Sequence, residues 1–117
     1  MRVVPRRPNP LFIYSLEVKR DYKNHVDYEC PAKLSAADAQ ALERAALAVY
    51  RALGCRDIAR VDFRLKAGVP YFLEVNPLPG LNPIESDLVL LAQGVGWTYE
   101  RLIQTIFDAA LKRGMIR

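Results

Sequence analysis

Hydrophobic and polar positions along the chain change their spacing several times, and each spacing predicts a different element. Residues 11–19 (LFIYSLEVK) are rich in β-forming residues and predict a strand, after an irregular, Pro-rich lead-in over residues 1–10. Residues 20–34 are polar and interrupted by aromatic residues, which predicts a long loop of the kind that often carries function. The first third of the chain is therefore expected to hold one strand and much irregular backbone.

Three later stretches have the apolar spacing of helices. The first covers residues 35–53, where Ser-x-x-Asp resembles a capping box with Asp38 in place of the usual Glu, and Gly54 marks its end. A short helix is predicted over residues 86–94. A last helix, with a broad apolar face, is predicted from a Thr cap over residues 98–112.

Alternating residues between the first two of these helices predict a β-hairpin. Residues 58–65 (IARVDFRL) alternate apolar and charged positions, and residues 69–76 (VPYFLEVN) follow after a loop of roughly three to five residues. A three-residue loop would place Glu74 opposite Arg60 and diagonal to Asp62. A register shifted by two residues would place Glu74 opposite Asp62, and an odd slip would separate the two carboxylates.

The order of these elements is strand, loop, helix, two strands and two helices. It is typical of an α+β fold with an antiparallel sheet flanked by helices. The 117 residues, 51% of them hydrophobic, suffice for one domain. The net charge of +4 permits a phosphate-bearing partner, while binding to nucleic acid or another polyanion rests on that charge alone.

Cysteine and histidine usage argues against two kinds of site. Cys30 and Cys55 have no metal-ligand spacing, and His25 is the single histidine, so neither a disulfide scaffold nor a structural zinc site is expected. The N-terminal residues lack the apolar core of a signal peptide, and no apolar stretch approaches the roughly 18 residues of a membrane helix. A cytoplasmic protein without a membrane partner is therefore expected.

Oxygen-bearing side chains are predicted to meet on one face of the hairpin. Asp62, Glu74 and Asn76 offer hard ligands that suit Mg²⁺ or Mn²⁺ rather than zinc. Arg60 on the same face can donate a fork of hydrogen bonds to a phosphate, and Gly80 in the following PLPGLNP loop lets backbone approach a ligand. The pattern predicts a metal and phosphate site. A plain ion pair between Arg60 and Glu74 on a solvated sheet face stays open as the alternative.

Four segments, ARVDFRL, YFLEVNPLPGLNP, YSLEVK and YECPAKL, resemble the C-terminal half of the D-alanine–D-alanine ligase family, within the ATP-grasp superfamily. The resemblance runs from about residue 11 to the C terminus. It implies an ATP-dependent carboxylate–amine ligase of peptidoglycan synthesis, in which a carboxylate is phosphorylated and an amine then displaces the phosphate. It also implies that residues 1–117 form a single partial ATP-grasp domain, without the family's N-terminal domain and Gly-rich lid subdomain.

The resemblance assigns roles to individual positions. Asp62, Glu74 and Asn76 match the residues that bind two Mg²⁺ ions on the phosphates of ATP, which makes Glu74 and Asn76 part of the nucleotide site as well. Leu73 matches a residue that lies under the adenine.

Three further positions match residues of the family that act on the reacting groups. Arg60 matches an arginine that steadies the transferred phosphoryl group. Gly80 matches a glycine whose backbone N–H supports the tetrahedral intermediate, and Lys19 matches a lysine at the start of a loop that closes over the site.

Some positions depart from the family pattern. Asn82 stands where Thr is usual, Glu85 falls at the position of a substrate-binding Ser, and Ser86 comes one residue later. Glu85 and Ser86 are therefore both candidates for contact with the substrate, and an acid at position 85 would repel a terminal carboxylate. Arg20 follows Lys19 where Tyr is usual.

Three functions remain open at this point. The first is the catalytic C-terminal part of a ligase that joins amino acids, incomplete alone and dependent on the missing N-terminal half or on a partner chain. The second is a non-catalytic remnant that binds Mg-nucleotide or a partner. The third is a polyanion binder.

Overall fold

The computed structural model describes residues 1–115 and contains two compact units, one of residues 1–33 and one that begins at residue 34. In the first unit, strand β1 (Arg2–Pro5) pairs antiparallel with strand β2 (Val26–Glu29). Helices α1 (Leu16–Arg20) and α2 (Tyr22–His25) lie between these strands in the chain. Val26 is the buried residue of this unit's sheet.

The predictions for this first unit are wrong in three places. Residues 1–10 contain β1 rather than only irregular backbone, residues 11–19 contain no strand, and residues 20–34 contain α2 and β2. The β-forming residues did not decide the outcome because Ser15 caps a helix, its Oγ accepting a hydrogen bond from the Val18 N–H at 3.4 Å. The strands were missed because each has four residues and the two pair across more than twenty positions.

Helices in the second unit follow their predictions closely. Helix α3 (Ala36–Ala52) begins after Ser35, whose Oγ accepts from the Asp38 N–H at 3.1 Å. Helix α4 (Asp87–Gly94) and helix α5 (Tyr99–Met115) also begin where expected, and α5 continues three residues beyond the predicted end. The Thr98 hydroxyl caps α5 by accepting from the Arg101 N–H at 3.1 Å.

A small buried cluster joins α4 to α5. It consists of Val89, Ala92 and Leu102, and partly buried side chains, Trp97 and Leu81 among them, pack against it. Helix α3 instead contacts the two strands of the hairpin. The α+β prediction is confirmed, while the prediction of one domain over residues 1–117 stays a prediction. Among residues 1–115, no helix combines the length and the apolar run that crossing a bilayer requires.

The hairpin is formed by strand β3 (Arg60–Lys66) and strand β4 (Val69–Asn76), which are antiparallel. Lys66 lies opposite Val69, so the turn has two residues and the predicted loop of roughly three to five residues is wrong. The two residues of the turn have φ angles of 50° and 77°, the positive values that a type I′ turn requires. That turn matches the right-handed twist of the strands, which explains why it is adopted although its first residue is Ala67.

A β-bulge in β4 sets the register at the other end of the hairpin. Phe63 lies opposite Phe72 and Asp62 lies opposite Glu74, so Leu73 has no partner of its own across the ribbon. The predicted pairing of Glu74 with Arg60 is therefore wrong, and the alternative pairing of Glu74 with Asp62 is the one observed. Phe72 lies on the face opposite to that of Asp62 and Glu74, and its ring meets the Phe63 ring edge-on with centroids 6.2 Å apart.

The turn gives a direct test of this description. Replacing Ala67 with Asn should raise the free energy of unfolding by about 1 kcal/mol, because Asn tolerates the left-handed backbone at lower cost than Ala. Urea denaturation measures the change. The control variant Ala67→Val should lower the same free energy, since a β-branched side chain is strained at positive φ. Equal stability of the Asn and Val variants would contradict the turn geometry.

Candidate metal and phosphate site

Arg60 stands at the centre of a group of carboxylates. Its Nε and Nη2 donate to the two carboxylate oxygens of Asp62 at 3.0 and 3.1 Å, which is a bidentate fork. The same Nη2 donates to Glu74 Oε1 at 3.3 Å, and Nη1 donates to Asp87 Oδ2 at 2.6 Å. With its side chain 19% exposed, the guanidinium is more shielded from water than any of the three acids.

Asp62 and Glu74 lie directly opposite each other, and both bind the same guanidinium. They share one face of the ribbon, whereas an odd register without a bulge would have separated them, and the predicted site itself stays a prediction. Partial burial raises the pKa of the Asp62 carboxyl, the hydrogen bond and charge of Arg60 lower it, and the neighbouring Glu74 raises it again. The net shift is upward, so one guanidinium does not fully offset burial and the second carboxylate.

The same group of charges acts on Arg60 in the opposite sense. Partial burial lowers the pKa of the Arg60 guanidinium, but the hydrogen bond to Asp62 and the charges of Asp62, Asp87 and Glu74 raise it more. The positive charge is therefore stabilised, while Asp62 still carries the cost of a like charge beside it. A cation that contacted both carboxylates would remove that cost.

Asn76 lies opposite Arg60 at the start of the loop of residues 77–86, called the Pro-Gly loop below. Its Oδ1 accepts a hydrogen bond from the Leu78 N–H at 3.1 Å and so shapes the beginning of that loop. An amide oxygen has a second lone pair, and the donor set with Asp62 and Glu74 fits Mg²⁺ or Mn²⁺. Within residues 1–115, no three His, Cys, Asp or Glu side chains form a metal-holding group. The set depends on the amide and leaves positions for water or substrate, as Mg²⁺ sites commonly do.

Gly80 and Ser86 are packed against each other inside the Pro-Gly loop. A Cβ on Gly80 would lie 2.8 Å from Ser86 Oγ, so any larger residue at this position would have to displace that hydroxyl. Ser86 precedes α4, yet its hydroxyl accepts from the Asn82 N–H at 2.8 Å instead of from an amide of the helix. The exposed Glu85 lies outside this arrangement. The Tyr99 hydroxyl donates to the Leu81 carbonyl at 3.0 Å and anchors the loop to α5.

Two other predicted site residues are not among those that bind Arg60. Leu73 is the bulged residue of β4 and is 61% exposed. Lys19 belongs to the unit of residues 1–33, where its Nζ lies over the Tyr14 ring, 5.4 Å from the centroid.

Asp87 is the residue that sequence reasoning missed. It makes the shortest contact with Arg60, although 27 positions separate the two residues in the chain. In the sequence, Asp87 is only an acid at the first position of a predicted helix. Acids are common there because they interact favourably with the helix dipole, so the position alone does not indicate a bond to Arg60.

Comparison with known proteins decides the family. The family model described as "D-ala D-ala ligase C-terminus" matches residues 2–108. The chain belongs to this family. The predicted likeness to the C-terminal half of D-alanine–D-alanine ligase is therefore confirmed.

Individual relatives and one solved structure match most of the chain. The D-alanine–D-alanine ligase of Fervidobacterium nodosum is 34% identical over 111 residues, which are 95% of this chain and 34% of that enzyme. "Uncharacterized protein y4sG" of Sinorhizobium fredii is 45% identical over 85 residues, 72% of this chain and 25% of that protein. The crystal structure of Bacillus anthracis D-alanine–D-alanine ligase complexed with ATP superimposes with a TM-score of 0.67 at 36% identity, over 74% of this chain and 30% of that one. The chain thus spans about a third of the length of such relatives.

The like-charge pair predicts a shift that titration can measure. Replacing Glu74 with Gln should lower the pKa of Asp62, because the negative charge of Glu74, which raises that pKa in addition to burial, disappears. Because the folded-state pKa of Asp62 is raised, Asp62 contributes stability at low pH that is lost as the pH rises through that pKa. The free energy of unfolding of the variant should therefore fall less over the same rise in pH. Carboxyl ¹³C NMR measures the pKa. The control Glu43→Gln, on the exposed face of α3, should leave it unchanged, and an unchanged pKa in Glu74→Gln would contradict the pairing.

The close approach in the loop predicts a steric cost. Replacing Gly80 with Ala should lower the free energy of unfolding by about 1–3 kcal/mol, because the new methyl meets Ser86 Oγ at 2.8 Å. Gly80→Ala combined with Ser86→Ala should recover part of that loss, measured by urea denaturation. Gly114→Ala is the matched control, since its Cβ meets nothing within 4 Å and the position lies in α5. A loss of equal size at both glycines would rule out the steric explanation.

Proposed function

We propose that this chain supplies the metal- and phosphate-binding part of an ATP-dependent carboxylate–amine ligase of the D-alanine–D-alanine type. The observation that carries the proposal is that Asp62 lies directly opposite Glu74, with the Arg60 guanidinium bound to both. Membership of the family supports the class of reaction, and the related Bacillus anthracis enzyme is known as a complex with ATP.

Asp62, Glu74 and Asn76 are the residues that would hold Mg²⁺ or Mn²⁺. A dication bound there would neutralise and orient the phosphate oxygens of ATP during phosphoryl transfer. The two carboxylates are already held face to face by the ribbon, so no rearrangement of β3 and β4 is needed to present them.

Arg60 is proposed to steady the phosphoryl group that is transferred. Its guanidinium is planar, always charged and fixed by hydrogen bonds to Asp62 and Asp87, which supports accurate placement beside the carboxylates. The Gly80 N–H is proposed to donate to the oxyanion that forms when the amine attacks. Leu73 is proposed to contact the adenine, and Lys19 to belong to a segment that closes over the substrates.

The substrate carboxylate is assigned to Ser86 rather than to Glu85. The Ser86 hydroxyl lies inside the Pro-Gly loop next to Gly80, and it accepts from the Asn82 N–H, which leaves its own proton to be donated. Glu85 is exposed, so its charge is not enclosed with that hydroxyl. D-Alanine is the amino acid proposed for this position.

The other parts of the site are proposed to come from sequence that corresponds to the N-terminal two thirds of the relatives. The Fervidobacterium nodosum enzyme is covered only over 34% of its length, so most of its chain has no counterpart in these 117 residues. We propose that a glycine-rich lid and the remaining substrate contacts are supplied from that part, on the same or on another polypeptide. The product would be a dipeptide used in peptidoglycan synthesis.

A chimeric enzyme tests the proposal. Residues 2–108 replace the matching segment of the Fervidobacterium nodosum ligase, and ADP formation is measured with D-alanine and Mg²⁺. The chimera should turn over, and Glu74→Gln should lower kcat/KM by about a hundredfold, because a carboxylate beside the transferred phosphates is lost. Glu43→Gln on α3 is the control of equal charge and should leave kcat/KM unchanged.

Two results would count against the proposal. Turnover that Glu74→Gln does not change would remove the carboxylate pair from the reaction. Nucleotide binding by the chimera without any ADP formation would favour the other reading of the sequence, a remnant that binds Mg-nucleotide without catalysis.

A further inference from the structure

Arg60 connects both ends of the Pro-Gly loop. Asn76, its partner across the ribbon, is the residue just before the loop, and Asp87, which binds its Nη1, is the residue just after it. The ten residues between them are held by local bonds, among them the Asn82 N–H to Ser86 Oγ and the Ser86 N–H to the Asn82 carbonyl at 3.2 Å. The Arg60–Asp87 pair ties this loop's end, and the start of α4, to the ribbon.

Asp87 also changes how the guanidinium is shared among the acids. At 2.6 Å, its bond to Nη1 is the shortest of the four that Arg60 donates to carboxylates, while the bond to Glu74 is the longest at 3.3 Å. Without Asp87, the guanidinium would bind Asp62 and Glu74 more strongly. A dication would then have to compete with the full charge of Arg60 for these two carboxylates. With Asp87, part of the guanidinium is held on the side of α4.

We propose that Asp87 is a positioning residue, which draws the Arg60 guanidinium towards α4, fixes the end of the Pro-Gly loop and weakens the hold of Arg60 on Asp62 and Glu74, so that a dication competes with it more easily. The inference rests on the proposed function for the identity of the dication site. The central claim, that Asp87 acts through Arg60, can be tested without measuring enzymatic turnover.

Mn²⁺ binding to the chain, followed by electron paramagnetic resonance without nucleotide, measures the effect on the dication. Asp87→Asn should weaken Mn²⁺ binding about tenfold in the parent protein, within the range for residues that share one ion-pair network. In the Arg60→Met background the same change should have much less effect, because no guanidinium competes there. Asp87→Glu should restore most of the affinity, since it keeps the charge.

A matched control separates this effect from loss of charge at a helix start. Asp38 lies in the first turn of α3, so Asp38→Asn removes an acid from a comparable position and should leave Mn²⁺ affinity unchanged. An equal loss from Asp87→Asn with and without Arg60 would overturn the proposal, because Asp87 would then act on the ion directly. No loss in the parent protein would overturn it as well.

Amide hydrogen exchange tests the positioning without any metal. Asp87→Asn and Arg60→Met should each raise the exchange rates of the Asn82 and Ser86 amides several-fold, because the end of the loop is released. The Ala39 amide, bonded to the Ser35 carbonyl in α3, should keep its rate. Unchanged rates at Asn82 and Ser86 would refute the role of Asp87. If the parent protein binds no Mn²⁺, the proposed function is contradicted, and these exchange rates alone decide on Asp87.

Discussion

The carboxylates of Asp62 and Glu74 lie opposite each other on the β3–β4 hairpin and repel each other. Other side chains of the second unit reduce the energetic cost of that repulsion. Arg60 forks onto Asp62 and reaches Glu74, and Asp87 holds the same guanidinium from α4. The upward shift in the pKa of Asp62 shows that the repulsion and the burial are not fully offset. A group that is costly to the fold and close to a loop of constrained geometry is typical of a functional site, where stability is given up for chemistry.

The facing carboxylates depend on two backbone features some distance away. The two-residue turn starts the ribbon in a register that, continued without interruption, would put Leu73 opposite Asp62 and turn Glu74 to the other face. The bulge at Leu73 shifts the pairing by one residue and brings Glu74 opposite Asp62. Ala67 adopts a positive φ of 50° in that turn. The pairing of Asp62 with Glu74 therefore depends both on a strained residue at the tip of the hairpin and on the bulged residue in β4.

Local chemistry predicted the helices of the second unit because their signals are local: Ser35 and Thr98 each cap a helix three residues before a bonded amide. The convergence of Arg60, Asp62 and Glu74 was also predictable, since alternation assigns faces. The pairing itself was not, because a turn of two residues and a bulge produce an offset that alternation does not reveal. Strands β1 and β2 and the Arg60–Asp87 bond depend on contacts between distant residues, for which no short window of sequence carries a signal.

Because of the bulge, β4 contains one residue, Leu73, that the strand pairing does not require. If Leu73 were removed, Phe72 and Glu74 would become neighbours and would still point to opposite faces, so Phe63 and Asp62 would keep their present partners. In most strands, the loss of one residue moves the following side chains to the other face of the sheet. In β4 the loss of Leu73 would remove the bulge and leave those side chains on their present faces. Leu73 is the residue proposed to contact the adenine, so a shorter strand would keep the carboxylates proposed for the phosphates and lose the apolar side chain proposed for the base.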